Sequence, residues 1–572
     1  MSDLQGLASN LKQIHRQNYK RYKEIKGQYQ GNGFRFQIDH VQGDPYADFS
    51  KGRVFLNPKD HNLPESVFRS TERQLACRDY LTRVFARLSR QKSRQVGTGK
   101  GGLLHIDAPG QAVLDKSSCL LHQDRTLELR FEFGLPAQGR RILGHEAASQ
   151  LTQTLPQVID QSLRWENLDS QDLETHMATV EDAEAMRRQL VDKQLVAFIG
   201  NQSVLPRLSG VSDRPLNEGA IPFESPPSLQ VQLDRPNAGP IEGMGIPKGI
   251  TLVVGGGYHG KSTLLRAIEK SIYPHIPGDG RETVVSHRQS VKIRAEDGRS
   301  VKGVDISPFI KELPQGRATD FFSSDNASGS TSQATNIIEA VEIGADLLLL
   351  DEDTSASNFM IRDERMQRLI APEREPITPL IDRIGEIYQT QGLSAVLVMG
   401  ASGDFFEIAH TVIGLHHYRC QDLTDEAKRI VAQYPSGRLR EPQESFPATL
   451  RPRWLEASQL SARHRGKDVY IKTRDCDQIQ FGSQTIDLAA VEQLCHPSQL
   501  RAISHALLWI RAQFQGQNIS VKEAIDRCYN YIQDHGLAAL DERPNGSIAE
   551  IRPWELATAL NRLRNLAISP DA

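Results

Sequence analysis

The sequence predicts a multidomain α/β protein built around a parallel sheet that ends in a phosphate-binding loop. Three observations carry that prediction. A β-rich apolar run, Thr251–Val254, leads into Gly255-Gly-Gly-Tyr-His-Gly260-Lys261-Ser262 and then into a helical stretch. Four consecutive leucines, Leu347–Leu350, end in Asp351-Glu352 and have the character of a strand buried on both faces. The chain has 572 residues, enough for three or four units at roughly 150 residues each.

Residues 1–170 read as an N-terminal α+β domain. Leu4–Lys26 has helical periodicity and stops at Gly27, and Phe34–Val41 alternates as a strand. A long helix is expected from Glu65 to Arg94, followed by strands at Leu103–Ile106 and Thr126–Phe133. Gly97–Gly102 contains Gly-Lys but no Ser or Thr after Lys100, so it reads as a loop. Residues 171–247 read as a helix over 178–200 and a Pro/Gly-rich connector. The core spans 248–420, a charged connector 421–445, and a mostly helical C-terminal domain 446–572. That last domain is expected to hold strands at Val469–Ile471 and Ile479–Phe481 and helices at Val491–Gln513, Val521–His535 and Pro553–Leu566.

Composition excludes several classes. A net charge of −3, with 38% hydrophobic and 24% charged residues, is that of a globular protein and not of a uniformly basic polyanion binder. The six cysteines form no C-x-x-C pair, and nothing has metal-ligand spacing. The first residues lack a basic-then-apolar leader, and no apolar run approaches the ~20 residues a bilayer needs. A cytoplasmic protein with no membrane domain in this chain is expected.

The glycine loop carries the chemistry. Gly255, Gly256, Gly257 and Gly260 let backbone N–H groups turn inward around phosphates, flanked by Tyr258 and His259. The helix that opens at Lys261, Ser262 and Thr263 adds its positive end. Lys261 reaches the terminal phosphates, and Ser262 offers a hydroxyl to Mg²⁺. Ligands in parallel sheets bind at the carboxyl ends of strands, which places Asp351 beside this loop as the second Mg²⁺ residue. Glu352 is then positioned to orient or deprotonate an attacking water. ATP and Mg²⁺ are the expected ligands.

Asp351-Glu352-Asp353-Thr354-Ser355-Ala356-Ser357-Asn358 resembles the Walker B motif and D-loop of ABC ATPases, and Ala327-Ser-Gly-Ser-Thr-Ser-Gln333 resembles their signature. Segments such as Asp39–Pro45, Gly134–Arg140, Phe198–Ser203 and Ile293–Arg299 extend the likeness to a group of predicted ABC-class ATPases that includes proteins tied to mitochondrial RNA editing. The resemblance implies a P-loop NTPase (ABC-type) core that works as a head-to-tail pair. Ser328, Gly329 and Ser330 of one copy then close over the phosphate held by the other, with Thr354, Ser355 and Ala356 as D-loop. Only one Walker A motif is present, so the pair is a homodimer.

Two departures follow from the same resemblance. Only a short stretch separates Lys261 from Ser328, so the helical arm is reduced. The strand Ala395–Met399 runs into Gly400-Ala-Ser-Gly403, without the usual histidine, which leaves Ser402 at the γ-phosphate sensor position and implies slow hydrolysis. His410 is expected on a helix.

Arg83, Arg87, Arg90 and Arg94 recur on one face of the expected helix, a spacing suited to a phosphate backbone or to a solvated helix face. Two functions remain open. In one, ATP-driven dimer closure acts on RNA or another nucleic acid. In the other, the protein is an ATP-switched protein-interaction scaffold. A small-molecule kinase fits less well, because it needs no signature.

Overall fold

The computed structural model describes residues 2–441 and 444–571. The chain divides into two compact units, one of Met1–Glu181 with His535–Glu550, the other of Asp182–Asp534 with Ile551–Ala572.

In the first unit, strands β1 (Ser2–Asp3), β2 (Gly27–Gly31), β3 (Phe34–His40), β4 (Ser50–Leu56), β5 (Leu104–His105), β6 (Cys119–Leu121) and β7 (Leu127–Phe133) form one sheet, antiparallel except where β1 pairs parallel to β2. Alternation along β3 and β4 buries Phe36, Ile38 and Val54 on one face. Helix α1 (Leu4–Gln13) is shorter than its periodicity predicts, because Arg16 takes a left-handed backbone (φ 62°) and the chain restarts as a 3₁₀ segment, Tyr19–Ile25. Helix α2 (Thr71–Lys92) starts where the Ser70 hydroxyl accepts from the Arg73 N–H; Glu65–Arg69 is a separate 3₁₀ turn. His535–Glu550 returns to this unit, where the Ser117 hydroxyl donates to the Asn545 carbonyl and Lys116 bridges Ala549.

The helix expected over 178–200 is two elements. Helix α3 (Ser170–Asp192) ends before Gln194, whose φ of 54° turns the chain, and β8 (Leu195–Gly200) is a fully buried strand. A short Val/Phe/Ile run gives no period by which to tell a buried strand from a helix end. With β9 (Gln230–Leu233), β10 (Ile241–Pro247) and, later in the chain, Val284–Ser286, β8 forms a four-stranded antiparallel sheet, so part of the Pro/Gly-rich stretch is strand.

The central sheet comprises β11 (Ile250–Gly255), β12 (Ser290–Ile293), β13 (Leu347–Asp351), β14 (Ser394–Val398), β15 (Thr411–His416) and β16 (Arg419–Asp422), in the order β12-β13-β14-β11-β15-β16. All neighbours are parallel except the final β15/β16 hairpin. Helix α4 (Lys261–Lys270) packs Leu264, Leu265 and Ile268 onto Val253, Leu349, Val396 and Ile413 in one core. Helix α5 (Gly329–Glu342) precedes β13.

The C-terminal part contains a three-stranded meander, β17 (Ile471–Arg474), β18 (Gln478–Phe481) and β19 (Gln484–Asp487). Helices α6 (Pro497–Phe514), α7 (Val521–His535) and α8 (Pro553–Asn561) follow. Helix α6 starts later than its apolar pattern predicts, at Pro497 behind a His496 cap. The preceding segment is tied to the central sheet. The Gln493 amide accepts from the Lys292 N–H (3.1 Å) and donates to the Ser290 carbonyl (2.9 Å) and the Glu269 carbonyl (3.2 Å).

Candidate nucleotide site

The glycine loop has the backbone its sequence requires. Gly255 ends β11 at φ 145°, and a Cβ there would lie 2.3 Å from the Leu415 carbonyl oxygen on β15. Gly260 caps α4 at φ 99°, where a Cβ would meet the Tyr418 ring at 2.8 Å. A side chain at either position would push the loop off the sheet. The Lys261 ammonium donates to the Gly255 and Gly256 carbonyls at 2.8 and 3.0 Å, folded over its own loop. Tyr258 is 98% exposed at the apex of the loop. His259 lies on the other side, stacked with His417 at 5.0 Å and edge-on to His416 at 5.2 Å. Ser262 and Thr263 occupy the first turn of α4.

Strand register brings the acidic pair to this loop. Asp351 pairs with Val398 on β14, and Val398 pairs with Val253 on β11. Adjacent strands lie about 4.8 Å apart, so Asp351 stands roughly 10 Å across the sheet from the strand that enters the loop. Asp351 is buried, and the Glu352 carboxylate accepts from the N–H groups of Gly400 (2.5 Å) and Ala401 (3.0 Å). Ser402 follows in the same loop, so Glu352 and Ser402 are brought to one strand end. His410 is not helical. It sits in the bend before β15, and its Nδ1 accepts from the Ile250 N–H at 3.0 Å, which fixes the base of β11 instead of the phosphate end.

Ser328 caps α5, its hydroxyl accepting from the Thr331 N–H. The Ser330 hydroxyl donates to Asn358 at 2.9 Å. The buried Gln333 amide donates to the Ser355 hydroxyl (3.1 Å) and accepts from the Ala356 N–H (2.8 Å). The signature-like turn and the D-loop-like segment therefore form one hydrogen-bonded unit. The Ala295 N–H donates to the Thr354 carbonyl at 2.9 Å, and the Glu296 N–H to the Ser332 hydroxyl at 2.8 Å. The loop after β12 thus joins the same unit.

Two features escaped sequence reasoning. Lys292 sits in the apolar run of β12; burial pushes its ammonium down from the usual lysine range, while Glu269 and Asp351 oppose that shift. A lone lysine between Val291 and Ile293 was the only signal. The second is an apolar cavity of about 160 Å³ against Gly260 and Thr263, walled by Leu205, Ile221, Phe223 and Tyr418. Its walls come from distant segments, so no local pattern announces it.

The arginine row is only partly a row. Arg83 lies 21% exposed at its side chain, pairs with Asp79 at 2.6 Å and donates to the Pro109, Gly110 and Ala112 carbonyls, which removes it from the surface set. Arg94 lies beyond the end of α2, because Ser93 leaves the helix in an extended conformation. Arg87 and Arg90 are exposed on α2, and neither has an acidic partner among the described residues.

Among the described residues there is no cluster of three or more potential metal-ligating His, Cys, Asp or Glu side chains, and no helix is long and apolar enough to cross a membrane.

Residues 4–165 match the N-terminal domain of ATPases of the ABC class, residues 169–452 the ABC ATPase P-loop domain, and residues 470–569 the MRB1590 C-terminal domain. Over 232 residues the chain is 30% identical to the uncharacterized protein MJ1628 of Methanocaldococcus jannaschii, covering 38% of this chain and 49% of that protein. The chain thus spans about half the length of that relative. Among solved structures, an ATP-binding cassette of an ABC transporter, MJ1267 in its ADP conformation, aligns at 10% identity and a TM-score of 0.25 over 42% of this chain and 96% of that one. The protein cbiO1 of Clostridium perfringens, part of the ABC transporter complex cbiONQ, aligns at 12% identity and the same TM-score over the same shares.

Proposed function

This chain belongs to the ABC class of ATPases, and on that premise we propose that it binds ATP–Mg²⁺ between two copies of itself and uses closure of the pair to act on RNA or another nucleic acid. The observation that supports the site most directly is the register that aligns Asp351, Val398 and Val253 across β13, β14 and β11. The residues fit the ligand: an open glycine turn at a helix start, one lysine, one hydroxyl and one buried carboxylate are the donor set a nucleoside triphosphate–magnesium complex needs.

The chain's own groups divide the work. The loop N–H groups and Lys261 hold the phosphates, and Ser262 and Asp351 hold the metal. Mg²⁺, when bound, neutralises charge that develops on the transferred phosphoryl group. Glu352 takes the proton of the attacking water, and the Gly400 and Ala401 N–H groups fix the carboxylate for that task. Ser402 senses the terminal phosphate. The hydroxyl and N–H groups at Ser328, Gly329 and Ser330, at the start of α5, cover the phosphate of the opposing copy. The apolar cavity beside Thr263 takes the base.

Exposed Arg87 and Arg90 support nucleic acid as the partner. The nucleotide part is tested by Lys261→Ala, which should abolish binding of a fluorescent ATP analogue. Undiminished affinity in that variant overturns the assignment.

A further inference from the structure

A second basic segment lies outside both the nucleotide site and α2. Between positions 463 and 474 stand Arg463, Arg465, Lys467, Lys472 and Arg474, against one acid, Asp468. The segment begins with a tight hairpin turn, in which His464 and Lys467 exchange backbone hydrogen bonds across Arg465 (φ 45°) and Gly466 (φ 78°). Arg463 pairs with Asp468 at 3.3 Å, both largely exposed. Arg465, Lys467, Lys472 and Arg474 are exposed and have no carboxylate partner among the described residues.

An aromatic platform lies among these cations. The Tyr470 and His464 rings lie 4.8 Å apart at 33°, and the Lys467 and Lys472 ammonium groups sit 5.8 and 5.5 Å from the Tyr470 centroid. β17 is the edge strand of its meander, and period-two alternation sends Lys472 and Arg474 outward while Ile479, Phe481 and Ile486 of its neighbours go inward. Opposite Lys472 and Arg474 stand Gln480 and Gln478, and opposite those stand Thr485 and Asp487. Thr485 and Asp487 in turn line a cavity of about 470 Å³ together with Arg294, Arg299, Arg562 and Arg564 and the acids Glu296 and Asp297; Arg294 pairs with Glu492, Arg299 with Glu339 and Arg562 with Glu296. One polar surface therefore runs from a basic aromatic edge, across two amides, to a hollow of mixed charge. That hollow borders the loop bonded to Thr354 and Ser332.

We propose that the outward face of this meander binds a single strand of RNA, with phosphates along Arg465, Lys467, Lys472 and Arg474 and a base on Tyr470. Single strands offer base faces for stacking, which a duplex hides, and Gln478 presents a donor and an acceptor to a base edge, whereas the Gln480 amide donates to the Gly482 and Gln484 carbonyls and accepts from the Thr485 hydroxyl. An acidic protein segment would use the cations but neither the ring nor the Gln478 amide. The proposal rests on nucleic acid as the partner class and places the strand on a surface distinct from α2.

The test is fluorescence anisotropy of the full chain with a labelled oligouridine, titrated at several salt concentrations. Lys472→Glu with Arg474→Glu should weaken binding about tenfold or more and flatten the salt dependence by about 1.4 in log–log slope, two contacts at ~0.7 each. Tyr470→Ala should weaken binding about tenfold with the slope unchanged, and Tyr470→Phe should restore it. Retained ATP-analogue binding shows that the variants are folded. Normal RNA affinity in the variants overturns the proposal. So does a loss confined to the charge reversals, with polyglutamate competing as well as RNA and Tyr470→Ala silent. If Arg87→Glu with Arg90→Glu abolishes binding while the meander variants bind normally, the partner class stands and this location falls. If the unaltered protein binds no RNA, both fall together.

Discussion

Glu352 accepts two backbone hydrogen bonds from Gly400 and Ala401, and these orient its carboxylate without neutralising it. Glutamine at this position keeps an acceptor oxygen and nearly the same volume, so the loop geometry should survive. What it loses is the ability to take a proton. Glu352→Gln should therefore bind ATP with unchanged affinity and release phosphate about a hundredfold more slowly or worse. Turnover equal to the unaltered protein would remove Glu352 from the reaction. Asp79 makes the opposite case, a carboxylate whose work is structural. Burial alone would raise its pKa, but Arg83 and a hydrogen bond from His176 outweigh burial and hold it below the usual carboxylate value. A depressed carboxylate contributes stability that is fully present above its unfolded pKa and is lost as pH falls through the folded one. Asp79→Asn should thus destabilise the first unit by about 3 kcal/mol near neutral pH, with the difference from the unaltered protein shrinking below about pH 4, measured by denaturant unfolding against pH. This pair also explains why the arginine row misled. Spacing on a helix shows that Arg83 can face out, but not that Asp79 one turn earlier and three loop carbonyls will hold it in.

At the scale of elements, the start of α5 and the turn after β13 depend on one side chain. Gln333 is buried, and its amide ties Ser355 and Ala356 to the signature-like helix. Gln333→Ala removes both bonds and leaves the Ala356 N–H without its acceptor. The two motifs should then move independently, which lowers ATPase activity about tenfold or more while ATP binding by Lys261 and its loop persists. Equal activity would show that the two turns need no coupling. The glycine loop, β13 and β14 were legible because each combines a composition signal with a terminus signal: apolar β-branched or leucine runs that stop at Gly or Asp. The strand β8 was not. Leu195–Gly200 follows a true helix after only a few residues, and its all-apolar character suits either state until the partners at Ile241–Pro247 and Val284–Ser286 are known. The meander was half visible: Ile479–Phe481 falls inside β18, the strand expected at Val469–Ile471 begins only at Ile471, and β19, equally four residues long, offers a single buried apolar residue, Ile486.

At the scale of the molecule, distant segments complete what local ones begin, and such pairings leave no mark on either segment alone. His535–Glu550 joins a unit whose other residues end at Glu181, and its bonds to Ser117 and Lys116 could not be read from either stretch. The same reasoning sets the oligomer prediction. The loop at Gly255–Ser262 and the turn at Ser328–Ser330 belong to one chain, yet Ser330 and Gln333 are engaged by Asn358, Ser355 and Ala356, not by the P-loop. A second copy related by a two-fold axis can present its Ser328 turn to this copy's loop and receive the reciprocal contact. ATP held at both loops would then stabilise the pair by mass action, provided it is not consumed. Glu352→Gln should run as a monomer on size exclusion with light scattering in nucleotide-free buffer and as a dimer with ATP–Mg²⁺. Adding Ser328→Arg places a long cation at the cap of α5, where it should block the dimer while leaving the monomer's ATP affinity intact. A monomer under saturating ATP for Glu352→Gln, or a dimer unaffected by Ser328→Arg, would separate the signature-like turn from nucleotide and leave each copy to work alone.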